Sequence, residues 1–246
     1  MKQLLHAFAM CQSMFCAIPC PWNIWDEKAR DKLLWCLPGV GLEIGVLWWF
    51  VARICILLQI PSAAAGFLIC AVPFFATGFL HMDGFMDVTD AVKSCRDLQR
   101  RREILKDSHV GSFAVIGCCL LLLAQFAFCC SFSRETDIRI LIGIPVISRC
   151  GSCLAVSLLP KMSTSQYARQ QIKTADWVIP LCWAAAALAF GFLACGKYGL
   201  ALLGGAAGYG IALRRAFRSL EGMNGDISGY SLTVSELAAV AVAALL

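Results

Sequence analysis

Seven apolar runs constrain this chain before anything else does. Residues 33–58, 61–80, 112–132, 138–159, 177–195, 200–213 and 234–246 are dominated by Leu, Ile, Val, Phe, Ala and Cys. A helix needs about 20 residues to cross the hydrocarbon core, about 17 at the least. Inside lipid the backbone must satisfy its own hydrogen bonds, which a helix does. The sixth run reaches that length only by borrowing residues 197–199, and the seventh falls short. The pattern predicts an all-α, polytopic membrane bundle of about six or seven transmembrane helices, one domain over residues 1–246. Charged residues are 15% of the chain, against about 25% in soluble domains. The net charge of +5 fits basic cytoplasmic loops and gives no basis for nucleic-acid binding.

The N-terminus lacks the basic, apolar and small-residue order of a secretory signal. Residues 4–18 are apolar enough to lie on the membrane or pack on the bundle, until Pro19 and Pro21 break the run. Trp22 and Trp25 suit an interface. The 15 cysteines are scattered through apolar runs and read as small hydrophobes, Cys150-x-x-Cys153 included. Gly41 and Gly45, and Gly204 and Gly208, have the spacing that lets helices approach closely. They also permit a homo-oligomer. Arg53 can snorkel to an interface. Glu43 lies deeper, as a functional acid or a polar contact between helices.

With the N-terminus in the cytoplasm, the inside segments hold sixteen Lys and Arg, Arg169 among them. The outside holds Arg134, Arg139 and Lys197. That asymmetry sets the orientation. It puts residues 77–111 and the polar loop 214–233 on one face, so Asp226 in the turn Asn224-Gly225-Asp226 is within reach of the same site.

Residues 77–111 carry the chemistry. Asp83, Asp87 and Asp90 fall at i, i+4 and i+7, within roughly 60° of one another on a helix. Three acids on one face repel, and a hard divalent cation such as Mg²⁺ is the usual counter-charge. His81 is a ligand, a base or a polar helix start. A helix that includes it turns its ring roughly 160° from Asp83. Arg100, Arg101 and Arg102 are phosphate binders or topology signals; consecutive helix residues diverge, so one or two can face a ligand. Lys106-Asp107-Ser108, ahead of Gly111, makes a turn that can hold a diphosphate on backbone N–H groups. Asp107 is there a further metal ligand or a base.

The pattern His81-x-Asp83-Gly84-x-x-Asp87-x-x-Asp90, followed by Arg100-Arg101-x-Glu103-Ile104-x-Lys106-Asp107-Ser108-x-Val110-Gly111, resembles the cobalamin synthases, the adenosylcobinamide-GDP ribazoletransferases. Pro38-Gly39-Val40-Gly41, Arg149, Asn224-Gly225-Asp226-x-x-Gly229 and Glu236 support it. This chain has Asn224 where the family usually has Thr, His109 where it has Arg, and Thr233 where it often has an acid.

The resemblance implies a Mg²⁺-dependent enzyme of the prokaryotic cytoplasmic membrane, with its site facing the cytoplasm. Adenosylcobinamide-GDP and α-ribazole, or its 5′-phosphate, are the implied substrates, and membrane lipid the surroundings. On that reading Asp83, Asp87 and Asp90 hold metal, and His81 or Asp107 is the base beside Lys106. Arg100, Arg101, Ser108, Arg149, Asn224 and Asp226 contact substrate. A CDP-alcohol phosphotransferase fits less well, since Leu80 stands where its motif needs an aspartate and Asp87-Val88 where it needs Ala-Arg. An ion-coupled transporter using Glu43 and Arg149 would place its charge at mid-membrane, not at one face.

Overall fold

A computed structural model describes residues 2–20, 22, 24–163, 165 and 171–246. Pro21 and Arg169 lie outside the described residues. Among those described the protein is helical and has no strands. Ten α-helices follow in order: α1 Lys2–Phe15, α2 Leu33–Leu57, α3 Ser62–Ala76, α4 Leu80–Lys93, α5 Leu98–Ile104, α6 Ser112–Cys130, α7 Ile144–Leu158, α8 Ala175–Cys195, α9 Leu200–Leu220 and α10 Gly225–Leu245.

Among the described residues five helical stretches are long and apolar enough to cross a membrane, or six if the bent pair α3–α4 is one crossing. One of the five, Ala175–Leu220, is 46 residues long. It folds back at Gly196–Gly199: a Cβ on Gly199 would stand 2.9 Å from the Gly191 carbonyl carbon. The stretch therefore divides into α8 and α9, as the two apolar runs anticipate.

Two expectations need correction. The polar stretch 214–233 is not a loop. α9 runs to Leu220 and α10 starts at Gly225, so the final run gains a polar first half and reaches spanning length. The second run also ends early. Its helix stops at Ala76, and after a short break α4 leaves at 89°. Gly78 and Phe79 both take left-handed backbone, with φ of 58° and 64°. A non-glycine residue there is strained.

α7 and α10 sit centrally. The apolar window in Ile138–Leu158, which ends with α7, is 83% buried, against 22% for α6, whose Leu120 and Leu123 are exposed. Close backbone approach builds the centre. A Cβ on Gly41 or Gly45 would strike the carbonyls of Pro145 and Ile142, so α2 packs directly on α7. Gly204 and Gly208 meet Val242 and Ala238 of α10 in the same way. Both small-residue pairs are thus consumed inside one chain. The indole Nε1 of buried Trp48 donates to the Ile69 carbonyl at 2.7 Å. All 15 cysteines are free; Cys150 and Cys153 are packed in the core, and α1 packs on α2.

Candidate active site

The site grows from the contact between α4 and α10. Glycine makes it possible. A Cβ on Gly84 would stand 2.9 Å from the Asp226 carbonyl oxygen, and one on Gly229 would stand 3.2 Å from that of His81. The Thr233 hydroxyl donates to the His81 carbonyl at 3.2 Å, and Phe85 stacks on Tyr230. This approach brings the acids of α4 to the first turn of α10. Asp87 sits in the field of Asp83, Asp226 and Asp90, and Asp226 in that of Asp83. Asn224 caps α10, accepting from the Ile227 N–H at 3.0 Å. Its amide nitrogen donates to Asp226 at 2.7 Å and fixes that carboxylate.

Asp90 has different work. Its two oxygens accept the Gly111 N–H at 2.6 Å and the Ala114 N–H at 2.9 Å. The free N–H groups at the start of α6 are an anion site, and the chain's own carboxylate fills it. A Cβ on Gly111 would stand 2.5 Å from that carboxylate, which accounts for the glycine. Sequence spacing groups Asp90 with Asp83 and Asp87; the fold commits it to a helix end and supplies Asp226 beside the other two.

The basic segment divides as well. Arg101 donates to the Ser219 carbonyl at 3.2 Å, and Arg102 to those of Leu220 and Glu221 at 3.0 and 2.9 Å. Both fasten α5 to the end of α9. Arg100 is exposed and pairs with Glu103 at 2.8 Å. Lys106 and Ser108 are exposed. Asp107 accepts from the His109 N–H at 3.0 Å and bonds its ring at 2.6 Å. The N–H first and then the ring hold its carboxyl below the usual carboxylate range. That makes it a poor proton acceptor near neutral pH.

Two cavities meet at Asp226. One, of about 390 Å³, has walls from α1, α2 and α10 and is lined by His81, Asp83, Asn224 and Asp226 among others. The other, of about 290 Å³, is lined by Arg102, Lys106, Ser163, Asn224 and Asp226. A larger open hollow of about 810 Å³ lies at Arg96, Arg100 and Glu103, away from Asp83, Asp87 and Asp226.

Arg149 stands deeper, 1% exposed, and is ion-paired with Glu236. Ser148 donates to the same carboxylate at 3.0 Å. Nε and Nη2 of Arg149, and Nε2 of His81, have no partner among the described residues. α4 does include His81, and its ring is turned inward into the field of Arg149; the residue still lines the cavity that Asp83 lines. Glu43 is a helix contact, accepting from Gln12 at 3.0 Å, with its second oxygen unpartnered. The cavity wall from α1 leaves no mark in the residue pattern, because Met14 and Phe15 read there as ordinary apolar positions.

Among the described residues no three His, Cys, Asp or Glu side chains stand close enough to hold an ion as they are. The donor set still fits a hard divalent cation. Asp83, Asp87 and Asp226 offer only oxygen. None forms an ion pair with Lys or Arg among the described residues, although each lies in another's field.

Asp226 at the junction of two cavities, with Lys106 in one of them, places acids and a base where a membrane-embedded enzyme would handle phosphate. The chain belongs to the cobalamin-5-phosphate synthase family, whose model matches residues 7–244. A protein of Clostridium perfringens (strain SM101 / Type A) named adenosylcobinamide-GDP ribazoletransferase is 36% identical over 98% of both chains. One of the same name from Clostridium botulinum (strain Alaska E43 / Type E3) is 34% identical over 96% of both. Another, from Brevibacillus brevis, is 35% identical over 66% of this chain and 65% of its own. No solved structure matches the chain.

Proposed function

We propose that this protein transfers the adenosylcobinamide-phosphate group of adenosylcobinamide-GDP to the ribose 3′-hydroxyl of α-ribazole, or of its 5′-phosphate. GMP leaves, and adenosylcobalamin or its 5′-phosphate forms. The observation that carries the reading is the position of Asp226, shared by both cavities and set beside Asp83 and Asp87.

Asp83, Asp87 and Asp226 are the residues that would hold Mg²⁺. A bound divalent cation there supplies charge neutralisation for a diphosphate and its leaving group. Lys106 and Arg102 line the second cavity and favour phosphate oxygens within it. Arg102 acts from a fixed position, since its guanidinium is anchored to two carbonyls. His81 lines the cavity beside Asp83, with its Nε2 buried and without a partner among the described residues, and shapes the wall against which the acceptor hydroxyl is placed. Asp107 positions the 106–109 turn. Asp90 holds the start of α6 and keeps α4 in register with it. Arg149 and Glu236 brace the wall behind His81.

The site faces the cytoplasm of a prokaryotic cell, by the excess of Lys and Arg on that side. The test is direct. Purified protein given adenosylcobinamide-GDP and α-ribazole should release GMP with Mg²⁺ and stop when EDTA is added. Release that persists in EDTA removes the metal, and no release with Mg²⁺ removes the reaction.

A further inference from the structure

We propose that the cavity of about 390 Å³ binds the base of the acceptor nucleoside, a flat fused ring with few hydrogen-bonding groups, and that Met14 and Phe15 of α1 set which base is accepted. The inference deepens the proposed transfer and rests on it.

The cavity is divided by chemistry. Asn224 and Asp226 lie at the side it shares with the second cavity, with Asp83 in the field of Asp226. Met14, Phe15, Leu37 and Val156 give the rest a mainly apolar wall, which Ser152, Ser165 and Ser228 interrupt. A nucleoside is divided in the same way: its ribose hydroxyls need polar neighbours and its ring needs apolar contact. With the ring against the apolar wall, the sugar lies at the acids, where the reaction requires it.

Competing occupants fit worse. The corrin macrocycle is too large for the volume. A guanine has an edge full of donors and acceptors. Asn224 cannot read it, because its oxygen is bound to the Ile227 N–H and its nitrogen to Asp226, and the Ser152 hydroxyl is engaged with the Ser148 carbonyl and the Tyr209 hydroxyl. The hydroxyls of Ser165 and Ser228 are too few for its donors and acceptors, and burying the rest of such an edge against apolar side chains leaves it unmet. The donor's nucleotide is thereby directed to the basic cavity.

The wall from α1 is held in place. The Ala17 N–H donates to the Ala76 carbonyl at 2.7 Å, which ties the end of α1 to the end of α3. Met14 and Phe15 are half-buried and carry no group that touches the acids, so they can change without altering the phosphate chemistry.

The experiment measures KM for α-ribazole and for adenosylcobinamide-GDP in wild type, Phe15→Ala and Phe15→Trp, and wild-type and variant affinity for α-ribazole alone from its ring fluorescence. Phe15→Ala should raise the α-ribazole KM and Kd by about tenfold, with the donor KM unchanged within about twofold. Phe15→Trp preserves an aromatic on α1 and fills the cavity, so it guards against a folding defect and should also weaken α-ribazole. Turnover with an unchanged α-ribazole KM in both variants overturns the cavity assignment and leaves the reaction standing; a lipid chain in the cavity gives that result. Nucleoside binding that weakens in the variants, without GMP release by wild type, overturns the reaction and leaves the cavity assigned.

Discussion

Asp83, Asp87 and Asp226 share a field without a cation among the described residues, and that repulsion is stored in the folded protein. Changing any one of them to Asn should cut turnover by about a hundredfold or more, as losing a metal ligand does. In metal-free detergent solution the same variants should melt no lower than wild type, because neutralising one acid relieves the repulsion. Added Mg²⁺ should raise the wild-type melting temperature and leave the variants unmoved. A wild-type protein whose melting ignores Mg²⁺ would place the metal elsewhere. Asp90→Asn should behave in the opposite sense. It weakens two charge-assisted bonds to the start of α6, at about 1–3 kcal/mol of stability, readable as a lower melting temperature with or without metal. The i, i+4, i+7 spacing announced three acids on one face. It did not distinguish the helix cap from the other two, since the N–H groups that claim Asp90 lie 21 and 24 residues away.

At the scale of the element, glycine contacts set the distances. Gly84→Ala places a Cβ 2.9 Å from the Asp226 carbonyl and must push α4 away from α10. Turnover should fall by roughly tenfold or more, while the amount of folded protein in detergent extracts changes little. Gly45→Val strikes backbone that cannot move aside, and overpacking of that kind costs about 1–3 kcal/mol or more. Little folded protein should be recovered. The spacing of Gly41 and Gly45 predicted a close helix pair but not the partner, which is α7. It also left pairing between copies open, where the fold uses both glycine pairs internally. The start of α10 was hidden for a related reason: Asp226, Ser228 and Ser231 made its first turns look like a loop. Asn224 as a cap and burial against α4 and α9 make them helix.

For the molecule as a whole, hydropathy made the all-helical membrane class legible, and the bent pair α3–α4 was the part it could not show. A change of direction leaves no mark in an apolar average. Orientation rests on Lys and Arg placement, and a single thiol can check it. Cys95 is exposed and lies between α4 and α5, while exposed Cys119 and Cys182 lie on α6 and α8. A membrane-impermeant maleimide should leave Cys95 unreacted in intact cells and label it in inverted vesicles, with Cys95→Ser as the blank. Labelling in intact cells would reverse the topology.

The right-angle joint at Gly78-Phe79 separates two jobs that a straight span would combine. α3, 15 residues long, is shorter than the hydrocarbon core, so the bilayer thins around it or it shifts in depth as acyl chains lengthen. In a continuous rod that shift would carry the acids with it. Here a corner intervenes, and α4 takes its bearings from α10 and α6 instead. Reconstitution into lipids of graded chain length should therefore shift the depth of α3 while catalytic output stays nearly flat.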